Sequence, residues 1–281
     1  KILTLPAAMP SAQRARAWVA WSSGKDSAWC LHVLRQNRVR EIMGRAPLLR
    51  SIAKGAEVVG LLTTVNEVFA RVPMHAVRVE LVEAQARAIG IPLWKVTIPS
   101  PCTNEQYEAA MAQAVVGARE QGIEGIAFGD LYLEDVRTYR EKMMRGTGLK
   151  PLFPLWRMPT DLLARDMIDQ GVRAKVTCVD PQALPAHFIG REFDRSFLDD
   201  LPSGVDPCGE KGEFHTFAYD GPMFHGPVLF RPGESVHREG FIFMDLIPES
   251  KAKALPYCRA TFQGCLVRED RRSGDGRYGD Q

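Results

Sequence analysis

Residues 18–27 read Trp-Val-Ala-Trp-Ser-Ser-Gly-Lys-Asp-Ser, an apolar run that breaks at once into a polar turn. Ala17 to Trp21 has the bulk and β-branching of a buried strand. Asp26-Ser27 then opens Ala28-Trp29-Cys30-Leu31-His32-Val33-Leu34, which carries a helical apolar pattern and no breaker. A turn between a strand and a helix N-terminus offers unpaired backbone N–H groups at the positive end of a helix dipole. Phosphate is the natural occupant of such a turn. Gly24 lets the backbone come close to a ligand, Ser22, Ser23 and Ser27 add hydroxyl donors, and Lys25 adds a charge. An ordinary capped helix start accounts for Asp26 or Ser27 alone. It does not account for serines on both sides of Gly24 with a lysine between, since Ser-x-Gly-x-Asp-Ser arises by composition in roughly half a percent of chains this long.

The rest of the chain extends this strand–turn–helix start. Val58 to Val65, Leu93 to Ile98 and Gly125 to Phe128 read as further strands. Val77 to Ile89, Glu105 to Glu120 and Glu134 to Arg145 read as helices, the first two stopped by Gly90 and Gly122. Strands alternating with helices predict an α/β fold, a doubly wound parallel sheet of Rossmann-like type with helices on both faces. Residues 38–55 exceed the usual helix-to-strand connection of about two to six residues. They read as either an extra short helix, with Leu48, Leu49 and Ile52 on one face, or a mobile insertion; their five basic residues against Glu41 read as solvated surface rather than a binding patch. After Gly148 the character changes, with Pro151, Pro154 and Pro159 marking a boundary. Asp161 to Asp169 reads as a helix, and Arg173 to Val179, Phe214 to Tyr219 and Phe241 to Ile247 as strands. The expected division is a nucleotide-binding domain over 15–150, a smaller α+β domain over 151–248 and a frayed tail over 249–281.

Composition excludes more than it selects. Of 281 residues 45% are hydrophobic and 25% charged, with a formal net charge of +2. No global field argues for nucleic acid or a membrane surface. No apolar stretch reaches the roughly 20 residues of a bilayer span. Pro6, Pro10, Arg14 and Arg16 interrupt any signal-peptide core, so the expected location is the cytoplasm. Six cysteines without C-x-x-C spacing suggest reduced thiols.

Two further constellations bear on chemistry. Gly129-Asp130 follows the fourth strand directly, and ligands of doubly wound sheets bind beyond the carboxyl ends of the strands. Asp130 is therefore expected to face the nucleotide or a bound Mg²⁺, beside Asp26; the ordinary alternative is a helix N-cap. Asn66, just past the second strand, sits by position where ribose or base would lie. Cys208-Gly209-Glu210-Lys211-Gly212-Glu213-Phe214-His215-Thr216 is a glycine-bracketed loop with two carboxylates. Paired acids on a rigid loop suit acid–base work or Mg²⁺ ligation, and a turn with solvated acids is the plain alternative. His75, His187, His215 and His225 lack metal-ligand spacing and read as packed or surface residues.

The first turn is not the Gly-x-x-x-x-Gly-Lys-Ser/Thr loop of kinases and GTPases. Ser22 to Ser27 resembles the PP-loop, Ser-Gly-Gly-x-Asp-Ser, of the N-type ATP pyrophosphatases, with Ser23 in place of the first glycine. Several stretches in order are together similar to the diphthine–ammonia ligase family. They are Ser22–Ser27, Leu62–Asn66, Met74-His75, Phe128-Gly129-Asp130 with Glu134-Asp135, Gly148–Trp156 and Asp206–Phe217. The resemblance implies an adenine nucleotide alpha hydrolase type domain that binds ATP and Mg²⁺. It implies cleavage to AMP and pyrophosphate, an acyl-adenylate, and its displacement by ammonia. In the family the acceptor carboxylate belongs to diphthine, a modified histidine on elongation factor 2. It implies phosphate contacts from Ser22, Ser23, Gly24, Lys25, Asp26, Ser27 and Gly129, with Asn66 nearby. Lys25, Asp130, Glu210 and Glu213 would carry the chemistry, and Asp26 and Asp130 would orient Mg²⁺. The chain departs from the family at Lys211, where Asn or Gly is expected, in the length of 38–55, and in the tail. Two rival readings stand beside this one: sulfur transfer to tRNA, which would need a cysteine pair such as Cys102 and Cys208, and a non-catalytic ATP-binding module, which would leave the 208–216 loop idle.

Overall fold

The computed structural model describes residues 14–36 and 56–249. The basic segment 38–55, the tail from 250, Cys258 and Cys265 lie outside the described residues.

Five strands form the first sheet: β1 (Ala15–Ala20), β2 (Ala56–Asn66), β3 (Leu93–Ile98), β4 (Gly125–Ala127) and β5 (Lys150–Leu152). All pair in parallel, in the order β3-β2-β1-β4-β5. The strand order reverses between β1 and β4, which leaves a crevice beyond their carboxyl ends. Alternation along β1 shows both faces covered. Ala17, Val19 and Trp21 enter one buried cluster with α1 (Lys25–Gln36) and α2 (Val79–Ile89). Trp18 enters another with α3 (Asn104–Glu120) and α4 (Glu134–Met144), stacking on Trp94 at 5.1 Å. Helix α3 starts where it does because Thr103 and Gln106 cap each other reciprocally.

After β5 come α5 (Thr160–Asp169) and a second, antiparallel sheet in the order β7-β6-β9-β8. Its strands are β6 (Arg173–Val179), β7 (Phe214–Asp220), β8 (Phe230–Arg238) and β9 (Phe241–Pro248). Short α6 (Arg195–Asp199) carries Phe197 into an aromatic cluster with Phe188, Phe193 and Phe214. The elements agree with the α/β reading, and β5, α6 and β8 are additions to it. The expected division at 150–151 falls inside β5.

The two sheets meet through the first turn. The Ala218 N–H of β7 donates to the Ser23 carbonyl at 2.9 Å, and the Lys25 N–H donates to Thr216 Oγ1 at 3.1 Å. Gln85, on the inner face of α2 and fully buried, closes the junction. Its Oε1 accepts from Trp21 Nε1 at 2.8 Å, and its Nε2 donates to the carbonyls of Ser23 (2.9 Å) and Ala218. One side chain thus satisfies three buried groups, from Trp21 just past β1, from the turn and from β7. Gln85→Met keeps the volume and removes all three bonds. Urea unfolding is expected to show a loss of about 2–4 kcal/mol; a loss below about 1 kcal/mol would mean those groups find other partners.

Candidate active site

Internal hydrogen bonds brace the turn. The Gly24 N–H donates to Ser22 Oγ at 3.3 Å, Ser27 Oγ donates to the Gly24 carbonyl at 2.9 Å, and Ser22 and Ser27 hydroxyls lie 3.3 Å apart. Ser23 sits in the left-handed region at φ +75°, is fully buried, and its hydroxyl has no partner. That conformation explains why the resembled motif carries glycine here. Gly24 has its own reason: a Cβ there would lie 2.9 Å from His75 Cε1 and 3.2 Å from the Thr216 carbonyl oxygen. Gly129 is constrained likewise, because a Cβ would lie 2.9–3.1 Å from the backbone of Asp26 and Ser27. The β4 loop and the turn therefore touch backbone to backbone.

A cavity of about 510 Å³ opens at the crevice. Ser22, Lys25, Asp26 and Ser27 line it from the turn, with Gly129 and Asp130 from the end of β4. The end of β2 adds Leu62, Thr63 and Thr64; apolar walls come from Phe128, Ile98 and Met111. Cys208, Gly209 and Glu210 reach in from the second half of the chain, as do His215 and Thr216, and His75 comes from the loop after β2.

Several expected residues take specific positions. Lys25 is buried, and its ammonium bonds the Asp26 carboxylate (2.9 and 3.1 Å) and the Cys208 carbonyl, over the rings of Phe193 (5.2 Å) and Phe214 (5.3 Å). Burial pulls its pKa down, but Asp26, Cys208 and Glu210 outweigh this and the net shift is upward. The lysine is thus protonated, and its charge is engaged inside the protein. Asp26 is pushed up by burial against the pull of Lys25. Asp130 is pushed up by burial and pulled back by Arg140, whose Nε lies 3.5 Å away. Its buried Oδ2 has no hydrogen-bond partner. Glu210 Oε1 accepts from the N–H groups of Leu131 (2.8 Å) and Tyr132 (3.3 Å). Burial chiefly, with Asp26 and Asp130 adding, raises Glu210 to about 7.

Several placements depart from expectation: of the turn residues expected to contact phosphate, Ser23 and Gly24 are absent from the cavity lining, and Ser23 is fully buried. Glu213 does not line the cavity; its two oxygens accept from the N–H groups of Asp206 and Lys211, both at 3.0 Å, and fix the loop that carries Glu210. Asn66 does not line it either, because its Oδ1 accepts from the Val68 and Phe69 N–H groups and shapes the turn after β2. His75 and His215 do line it, their rings tilted at 41° with centroids 4.7 Å apart. Arg137 bonds Glu141 at 2.8 Å, the surface pair that helical spacing suggests. The Cys208 thiol donates to the Thr160 carbonyl and is pushed up by burial, so it holds no thiolate near neutral pH. Sequence reasoning also passed over Asp206, whose Oδ2 accepts from Thr160 Oγ1 (2.8 Å) and Tyr132 hydroxyl (3.3 Å) and joins the loop to the first half.

Among the described residues no three His, Cys, Asp or Glu side chains group to hold a metal alone, and no helix is long and apolar enough to cross a membrane.

Residues 15–151 match the family model of the diphthamide synthase N-terminal domain, and residues 159–244 that of the diphthamide synthase C-terminal domain. The chain belongs to the diphthamide synthase family. Among similar proteins is the diphthine–ammonia ligase of Homo sapiens, 26% identical over 198 residues, which are 62% of this chain and 74% of that one. The diphthine–ammonia ligase of Rattus norvegicus is 26% identical over 216 residues, 67% of this chain and 79% of its own. That of Schizosaccharomyces pombe is 28% identical over 123 residues, 42% of this chain and 20% of the yeast protein. Within the diphthamide synthase family this chain is an enzyme of ligase type, and its matched halves meet at the cavity.

Ser23→Gly tests the turn directly. Relief of a left-handed non-glycine residue is worth about 1–2 kcal/mol, and glycine's extra chain entropy costs about 0.5–1 kcal/mol. The variant is therefore expected to be more stable by about 0.5–1 kcal/mol in urea unfolding, with nucleotide affinity unchanged. A destabilisation would show that the Ser23 hydroxyl has a role the strain argument misses.

Proposed function

We propose that this enzyme activates a carboxylate with ATP and transfers it to ammonia, as an AMP-forming ligase of the diphthine–ammonia ligase kind. One observation carries the reading. The Ser22–Ser27 turn, at the N-terminus of α1, shares a cavity at the strand-order reversal with Asp130 and Glu210. A module that only binds nucleotide has no use for a carboxylate delivered there by the second half of the chain. The family relatives are named for diphthine and ammonia, and this supports a diphthine-like acceptor, a modified histidine of elongation factor 2.

In this reading residues 15–150 bind the nucleotide and 151–248 present the acceptor side. The backbone of the turn, with Ser22 and Ser27, cradles the β and γ phosphates. Lys25 acts through Asp26, holding its carboxylate against the pull of burial. Asp26 and Asp130 fit Mg²⁺, which takes one or two carboxylates together with substrate phosphates; the buried Asp130 Oδ2, ion-paired with Arg140 at 3.5 Å but making no hydrogen bond, is the observation behind that fit. When bound, the ion would supply charge neutralisation at the phosphates. The acceptor carboxylate oxygen attacks the α phosphorus and pyrophosphate leaves. Ammonia then attacks the acyl carbon, AMP leaves, and the surplus proton passes to Glu210, which titrates near neutral pH.

Incubation with α-labelled ATP, Mg²⁺, ammonium and diphthine-bearing elongation factor 2 is expected to release labelled AMP. ADP as the only labelled product would refute cleavage between the α and β phosphates.

A further inference from the structure

The cavity has a cation shortage. Among the described residues that line it, Lys25 already faces Asp26 at 2.9 Å and Arg140 faces Asp130 at 3.5 Å. Three carboxylates share the same space: Asp26, Asp130 and Glu210. A triphosphate brings several more negative charges into a site of low dielectric, where each uncompensated charge is costly.

The two histidines are placed to answer this. His75 lies against the turn itself, close enough that its Cε1 would meet a Cβ on Gly24 at 2.9 Å. Its Nδ1 lies 3.1 Å from the Thr216 carbonyl oxygen, which can only accept, so Nδ1 carries the proton and Nε2 keeps its lone pair. The His215 ring lies beside it, tilted at 41° with centroids 4.7 Å apart, and its Nε2 is buried without any hydrogen-bond partner. Packed core histidines normally satisfy both ring nitrogens; this one does not.

We propose that His75 and His215 together form a phosphate contact of the nucleotide site, sharing one proton taken from solvent when the triphosphate enters. This rests on the reading of the site as an ATP site. In the ligand-free protein both rings are neutral, because burial holds His75 at about 4 and His215 at about 3, with Lys25 pushing the same way. The charged groups sharing the cavity are Lys25, Asp26, Asp130, Arg140 and Glu210. Incoming phosphate oxygens favour the protonated ring and give its Nε2–H an acceptor. Two imidazolium rings at this separation repel, so the pair accepts one proton and not two. Nucleotide affinity therefore rises as pH falls from 8 toward 6. The proton returns to solvent when the leaving pyrophosphate departs.

Calorimetric titration with α,β-methylene-ATP and Mg²⁺ near pH 7 in Tris, HEPES and PIPES reads proton uptake, because these buffers differ in ionisation enthalpy. The full-length wild type is expected to take up at least about half a proton more than the His75→Gln/His215→Gln variant, and to bind about tenfold more tightly. Equal uptake in both proteins, with the analogue bound, overturns the histidine assignment and leaves the ATP reading standing. Failure of the wild type to bind the analogue overturns the ATP reading and this inference with it. Should the double variant not fold, imidazole nitrogen resonances of the wild type decide: one ring moving to the imidazolium position on addition of the analogue supports the assignment, and two unmoved neutral rings overturn it.

Discussion

The bond network that pins the first turn to the second sheet is the constraint on which this structure depends. A turn of Ser22 to Ser27 left to itself would sample many shapes. Here the Ser23 carbonyl is fixed by Ala218 and Gln85, and the Lys25 N–H by Thr216. Ser23 is thereby held at φ +75°, a conformation an isolated serine avoids. A ligand then meets donors already in place, and no ordering cost falls on the binding step. The same network joins the two halves of the chain by hydrogen bonds. Ala218 belongs to a sheet that shares no strand with the first, yet the largest buried cluster runs through both.

Electrostatics follow from this burial. In the Lys25–Asp26 pair, Phe193 and Phe214 flank the buried ammonium, while the partly exposed Asp26 carboxylate belongs to the cavity lining. Such a pair is weak support for stability, since desolvation of both ions offsets their attraction. Its effect is positional: it fixes one carboxylate at the helix start and neutralises a cation that a free lysine would offer to phosphate. Asp26, Asp130 and Glu210 are all pushed toward the neutral form by burial; Lys25 opposes this at Asp26 and Arg140 at Asp130, while at Glu210 the Leu131 and Tyr132 N–H groups do. A site built this way separates the charge of the ligand from that of the protein until both are enclosed.

Much of the architecture was legible because it rests on short-range pattern. β-Branched runs, glycine stops and helical periodicity marked β1 to β4, β6, β7 and β9, and they marked α1 to α5. β5 escaped because three residues including Pro151 carry no period. β8 escaped because Pro232, Gly233 and a largely exposed pattern are what an edge strand permits, not what a buried one requires. What was legible is what the backbone decides: the close approaches at Gly24 and Gly129, and the position of Asp130 beyond β4, where it lines the cavity. The site was not legible where a side chain chooses between partners distant in sequence. Glu213 turned to its own loop, Asn66 to its own turn, and Lys25 to a carbonyl 183 residues away. Gln85 had a faint signal, a polar residue on the apolar face of α2. His75 and His215 lie in stretches that carry the family resemblance, but their pairing had no signal, since 140 residues separate the two rings.

The central claim is that the turn after β1 is a preformed cradle for the outer phosphates of a triphosphate. A crystal structure with a non-hydrolysable ATP analogue tests it most directly. The account predicts the β and γ phosphates against the backbone of residues 22–27, and the adenosine toward Leu62, Thr63 and Phe128. Density for the analogue in another cleft, with the turn unfilled and unchanged, would contradict it.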